Sequence, residues 1–361
     1  MKTLLLGDIC PTERNAELFA AKDVKALFGD TVSLFADKDF SIVNLECALT
    51  DHDGAIKKIG PPLKAPKETA KTLKMLGVTV CGLSNNHVFD FGVKGARDTQ
   101  KVLTEAGLGY TGFGEDYEDS RKNYTFEKKG EKIAVVAVCE HEYSYALEDR
   151  MGSRPFDEYD TMEDIRAAKE THDRVIVTYH GGKELCRYPS PRLIKLCRAM
   201  VRNGADIVLC QHSHCIGAYE SYKGGHILYG QGNFHFVKDY NIPMWHNCLA
   251  VVYDTVEHTV EFIPVKSNSR GIELARGEEK ETILSEFAER NRSLADGSWR
   301  KGWHDFCVEN YEVYVTKTIG RAGIPGCEER HNDRFGHYLD CEAHTDVWRE
   351  LFPTYNATNE K

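Results

Sequence analysis

Short, almost wholly apolar runs recur along this chain, and each ends at a residue able to bind a metal or carry a proton. Leu4-Leu5-Leu6 leads to Gly7-Asp8, Ser41-Ile42-Val43 to Asn44-Leu45-Glu46, and Val78-Thr79-Val80-Cys81 to Asn85-Asn86-His87. Val175-Ile176-Val177 leads to His180, and Ile207-Val208-Leu209 to Gln211-His212-Ser213-His214. Runs this short, without polar alternation, read as strands buried on both faces. Parallel α/β sheets collect functional groups at the carboxyl ends of their strands. A series of such endings along one chain therefore predicts a single site that gathers metal ligands.

The segments between these runs have helical period, near residues 15–28, 67–76, 92–106, 163–172 and 191–203, with Pro66 and Gly107 as start and stop signals. Three hairpins are expected, over 124–138, 217–229 and 248–265. From Glu278 onward the pattern is helical and charged, and residues 320–361 are rich in charge, aromatics and turn residues. This gives an α/β domain over 1–265 with a helical C-terminal extension over 266–361 packed on it.

The net charge is −10, with acids and bases interspersed and no basic patch, which argues against a nucleic-acid partner. An acidic protein still binds an anionic small molecule or polymer if metal ions supply local positive charge. The 12 cysteines include no C-x-x-C pair and read as small buried hydrophobes. The apolar stretch near Met1 is too short for a signal-peptide core, and no run approaches membrane-spanning length. A cytoplasmic protein is expected.

Carboxylate, carboxamide and imidazole groups suit divalent manganese, iron or zinc. Asp8, Glu46, Asn86, His180, His212 and His214 could hold one or two such ions. His87, beside Asn86, would be free to donate a proton to a leaving group. His212 and His214, at i and i+2, would point the same way in extended backbone. Strand alternation favours Glu46 over Asn44 as the inward-facing residue. Asp90 is expected to cap or orient the Asn86–His87 loop. Glu184 and Asn233 would touch substrate or orient a ligand. His141, flanked by Glu140 and Glu142, either borders the cleft or is simply exposed.

These residues also carry a family resemblance. Gly7-Asp8, Asn44-Leu45-Glu46, Asn85-Asn86-His87 with Asp90 and Gly92, His180-Gly181-Gly182-Lys183-Glu184, Gly204-Ala205-Asp206 with His212-Ser213-His214, and Gly230-Gln231-Gly232-Asn233-Phe234 follow in order. The series resembles the bacterial capsule-synthesis family linked to poly-γ-glutamate production, within the calcineurin-like metallophosphoesterase superfamily. The resemblance implies a four-layer sandwich of two mixed sheets flanked by helices. It also implies roles: Asp8 and His214 on metal one, Glu46 bridging, and Asn86, His180 and His212 on metal two beside the proton donor His87.

Three departures stand out. Cys10 occupies the place of the superfamily's histidine, Glu46 stands in for its second aspartate motif, and Gly181 and Gln211 replace a common aromatic and a common glycine. A metal-dependent hydrolase of phosphoesterase type is the first functional reading. The alternative is a non-catalytic metal- or polymer-binding accessory subunit, and a nuclease comes third. Relatives serving capsule export are often membrane-anchored, and the absence of such a run here weighs against that role.

Overall fold

In the computed structural model, which describes residues 1–319 and 329–353, two β-sheets stack face to face with helices on both outer sides. The first sheet has the order Ile272–Leu274, Thr259–Ser267, Asn247–Asp254, Lys2–Ile9, Phe40–Leu45, Val80–Gly82, Gly109–Thr111, and Asn233–His235 also joins Lys2–Ile9. The strands from Lys2–Ile9 to Gly109–Thr111 run parallel, whereas Asn247–Asp254 and its neighbours are antiparallel. The second sheet has the order Tyr219–Tyr222, Gly225–Leu228, Ile207–Gln211, Arg174–His180, Glu131–Cys139, Tyr124–Lys128, with a parallel centre and antiparallel edges.

Side-chain alternation explains the layering. Leu5, Ile42 and Val80 of the first sheet pack against Ile133, Val135, Ile176, Ile207 and Leu209 of the second. Their immediate neighbours turn outward. Leu4, Leu6, Val43 and Cys81 meet Phe19, Leu73 and Leu103 from helices on one side. Ala134, Val136, Val175, Val177 and Val208 meet Ile165, Leu193, Cys197 and Met200 on the other. Both faces of each strand are thus apolar, which is why the runs show no alternation. Helix Pro191–Arg202 follows its sequence signals, since Pro191 opens it and the Ser190 hydroxyl accepts a hydrogen bond from the Leu193 amide.

Two elements are shorter than the sequence implies. The helix expected over 15–28 is split into Ala16–Ala21 and Val24–Phe28, because Lys22 adopts φ 60° and Asp23 caps the second piece through the Ala26 amide. The third strand begins at Val80, because the Val78 amide closes the preceding helix by bonding to the Leu73 carbonyl.

Beyond the sheets, helices Gly277–Asp296, Trp299–Glu309, Tyr311–Val315, Glu329–Asp340 and Glu342–Leu351 follow. Trp299, Trp303, Cys307, Tyr314 and Val347 join the outer core of the second sheet. The last helix is fastened by Asp346, which accepts from the Ser190 hydroxyl at 2.6 Å and from Arg192 at 2.8 Å. Among the described residues no helix is long and apolar enough to cross a membrane.

His235 supplies a test of this core. Its ring lies wholly buried between Phe19 and Phe28, with Nε2 at 3.1 Å from the Leu27 carbonyl. Burial depresses its pKa from 6.5 to about 4. The unfolded chain therefore takes up this proton first on acidification. The contribution is fully present above pH 6.5 and is lost as pH falls towards 4, by about 3 kcal/mol at most. Denaturant titrations of wild type and His235→Gln are expected to converge across that window. A stability difference independent of pH would refute the assignment.

Candidate metal centre

Two glycine motifs bring the first ligands together. Gly7 lies so close to Gly232 that a Cβ there would sit 2.1 Å from the Gly232 carbonyl oxygen, and Gly232 itself has φ 82°. That approach sets Asp8 level with Asn233 on one side and with Asn44 on the other. Asp8 Oδ1 accepts from the Asn44 amide at 2.7 Å, and Oδ2 accepts from the His212 backbone amide at 3.1 Å. Burial pushes the Asp8 carboxyl upward, but the hydrogen bond from His214, the charges of His180 and His214, and the Asn44 amide outweigh it. Asp8 therefore sits below the usual carboxylate range.

Glu46 behaves differently. It is completely buried, and neither carboxylate oxygen has a hydrogen-bond partner. Burial, then the charge of Asp8, raises its pKa well above the usual value. A buried carboxylate without partners is costly unless a cation completes it. Its neighbours fit that requirement. Glu46 forms one group with His180 and His212 and a second with Asp8 and His214, the ligand atoms of each lying within 4.8 Å of one another. One carboxylate common to two ligand sets is the arrangement of a bridged metal pair. The residues present thus fit one or two divalent ions.

The other expected residues converge on the same place. Asn86 Oδ1 lies 3.0 Å from His180 Nε2, and His212 Nδ1 lies 3.2 Å from the same nitrogen. Asn44 also belongs to the site: its amide reaches His180 Nδ1 at 3.1 Å, and its carbonyl accepts from Asn85 at 3.1 Å. Asn44 and Glu46 both face inward, contrary to the expectation that alternation would choose between them, because residues at i and i+2 of a strand share a face. Asn233 Oδ1 contacts His214 Nδ1 at 2.9 Å while its amide is tied to the Trp245 carbonyl, so it orients the imidazole. Asn233→Ala is expected to weaken metal binding by His214 and its partners roughly 10–100-fold, measured by metal titration. Unchanged affinity would reduce Asn233 to a packing residue.

His212 and His214 do not converge for the reason anticipated. Neither is extended: His212 has φ 82° and His214 φ 53°, a region that costs β-carbon residues energy. The strained turn after Ile207–Gln211 aims both rings at Glu46 instead, with their centroids 5.9 Å apart.

His87 and Asp90 form a tight pair, with Nδ1 2.6 Å from the Asp90 carboxylate. A carboxylate only accepts, so Nδ1 carries the hydrogen and Nε2 is the free ring nitrogen. Asp90 also accepts from Lys58 at 2.6 Å and from the Leu63 amide at 2.7 Å. Burial, then the charge of Lys58, lowers the His87 pKa to about 4 against the pull of Asp90.

The departures each have a structural account. Cys10 is buried in the apolar layer under the first sheet, its thiol donating to the Pro11 carbonyl, and it lies in neither group of ligands. Gln211 donates to the Leu6 carbonyl at 3.2 Å, tying the two sheets together next to the site. At Gly181 a Cβ would already sit 2.6 Å from the Glu140 and Tyr179 side chains, so an aromatic has no room there.

Glu142, Lys58, Lys183, His337, Tyr338 and His344 join the site without a local sequence pattern that points to it, whereas Glu184 is expected there from the sequence. Glu142 accepts from the Asn86 amide at 2.8 Å and lies 3.6 Å from His212 Nε2. Lys58, Lys183, Glu184, His337, Tyr338 and His344 help to line a cavity of about 140 Å³ that also touches Asn86, His87 and Glu142. Glu184 is exposed on that wall. His141 is half-buried and held by Glu342, which accepts its backbone amide at 2.9 Å and lies 2.6 Å from its Nδ1. The helices after residue 328 therefore form part of the wall, which no local pattern in 1–265 could show.

The family model for the bacterial capsule synthesis protein PGA_cap matches residues 2–238. The capsule biosynthesis protein CapA of Bacillus anthracis is 37% identical over 181 residues, 48% of this chain and 44% of that protein. The PGA biosynthesis protein CapA of Bacillus subtilis (strain 168) is 31% identical over 237 residues, 64% of this chain and 62% of that protein. The matched stretches thus span about half the length of those relatives. With the match running from the first strand to just past Asn233, the chain belongs to the bacterial capsule synthesis protein family.

Proposed function

We propose that this protein is a metal-dependent hydrolase with a phosphoesterase-type site, working in capsule or poly-γ-glutamate metabolism. The observation that carries the reading is Glu46, a wholly buried carboxylate without hydrogen bonds that belongs to two ligand groups at once. A metal pair bound there supplies Lewis-acid activation of water and of an ester's oxygens. The chain's own residues do the rest. Asp90 and Lys58 fix the His87 ring, leaving Nε2 free to exchange a proton with a leaving oxygen. His87 is neutral near pH 7 in the free protein, and an anionic ester beside it favours the protonated ring.

The cavity beside Asn86 and His87, with Lys58 and Lys183 as well as Glu142 and Glu184 on its wall, is the entry we assign to the substrate. A larger cavity of about 510 Å³ adjoins it, sharing Lys58 and His337, and has room for the remainder of the substrate. The test is hydrolysis of a model phosphodiester and a model phosphomonoester by metal-stripped protein before and after manganese, iron or zinc is restored. Turnover that depends on metal and on His87 supports the reading. No turnover with any metal, together with anionic-polymer binding that persists in chelator, would favour the accessory-subunit reading, for which the core-buried Cys10 is the motivating feature.

A further inference from the structure

The C-terminal helices bring their own donors to the edge of the centre. Within eight residues the chain carries His337, Cys341 and His344, a spacing of i, i+4 and i+7 across the junction of helices Glu329–Asp340 and Glu342–Leu351. Cys341 and His344 meet Glu142, which follows the strand Glu131–Cys139, and all three are buried with their ligand atoms within 4.8 Å of one another. Cys341 Sγ is 3.3 Å from Glu142 Oε1.

Both flanking donors are held in place. The Asn86 amide fixes Glu142 Oε2 at 2.8 Å, and the Tyr314 hydroxyl fixes His344 Nδ1 at 2.5 Å. His344 Nε2 is thereby left as the ring nitrogen available to a ligand, the arrangement common among metal-binding histidines. Glu140 also approaches Cys341, at 3.9 Å, but its carboxylate already accepts from Tyr179, Arg192 and the Ala343 amide. Glu142 is the acid with capacity to spare.

We propose that Glu142, Cys341 and His344 form a further metal site, selective for zinc, that ties the C-terminal helix pair to the wall of the Glu46 centre. A mixed sulfur, nitrogen and oxygen set prefers zinc over magnesium or manganese. Tetrahedral zinc needs ligand atoms roughly 3–4 Å apart, and the thiol and carboxylate already have that spacing. On binding, Cys341 gives its proton to solvent and the metal replaces the thiol–carboxylate hydrogen bond. With three protein ligands, the fourth position would open towards the cavity lined by Glu142 and His344.

The test uses the full chain, stripped of metal and titrated with cobalt(II) as a spectroscopic probe. Wild type is expected to develop a sulfur-to-cobalt charge-transfer band that is retained in Cys10→Ser and lost in Cys341→Ser. Zinc content of Cys341→Ser should fall by one ion per chain. His344→Gln, which keeps the thiol, should bind cobalt at this band at least tenfold more weakly, and it decides the matter if Cys341→Ser fails to fold. No band in wild type, or one that survives Cys341→Ser, would overturn the site. Ester hydrolysis does not enter this readout, so the phosphoesterase reading stands or falls separately.

Discussion

Glu46→Gln is expected to weaken metal binding at either ligand group at least about a hundredfold while making the metal-free protein more stable. The two effects have one cause. Glu46 is the carboxylate common to both ligand groups, and its two oxygens are buried without a hydrogen-bond partner. An amide of the same shape supplies a weaker, neutral ligand, so affinity at each group should fall by at least about a hundredfold, the upper range seen when a ligand's mere support is removed. In the metal-free protein the same change removes a carboxyl whose charged form is penalised by burial and by Asp8, and whose oxygens have no hydrogen-bond partner. Relief of that kind is worth about 1–3 kcal/mol. Metal content by elemental mass spectrometry and denaturant unfolding in chelator measure the two halves. Two ions retained in Glu46→Gln would mean that the carboxylate is not a ligand. Loss of stability in chelator would mean that it has a partner the geometry does not reveal.

His87→Ala separates chemistry from binding. His87 lies in neither ligand group, yet it lines the cavity beside Asn86. Its removal is expected to leave metal content unchanged and to lower turnover of a model phosphoester roughly 10²–10⁴-fold, the usual contribution of a positioned acid or base. The loss should be smaller for substrates with good leaving groups, which need no proton. Asp90→Asn, which loosens the ring without removing it, should fall between variant and wild type. Wild-type turnover in His87→Ala, at full metal occupancy, would remove the proton-transfer role.

The C-terminal helices bear on both experiments. Glu342 holds His141, Asp346 holds Ser190 and Arg192, and His337, Tyr338 and His344 face the cavity. Their docking sets how much of the ligand cluster meets solvent. The relatives matched by this chain are covered over about half their length, so this wall is best tested on the present protein itself.

The amino-acid sequence by itself determined the layers and which side chains gather in one buried cluster. Leu4, Leu5 and Leu6 read as a strand buried on both faces, and their side chains do alternate between the two cores. Asp8, Glu46, Asn86, His180, His212 and His214 were legible because each follows such a run, and strand ends are where a parallel sheet concentrates its chemistry. Helix boundaries were less so, since Lys22 at φ 60° breaks a segment whose apolar period runs straight through it. Glu142, Lys58 and His344 were decided only by the tertiary structure. Lys58 and Glu142 lie in loops and His344 in a distant helix, and tertiary packing places them: Lys58 meets Asp90 across 32 residues, and Cys341 meets Glu142 across 199. The same holds for the turn after Ile207–Gln211, where strained φ angles, maintained by the surrounding contacts, aim two histidines that extended geometry would have aligned differently.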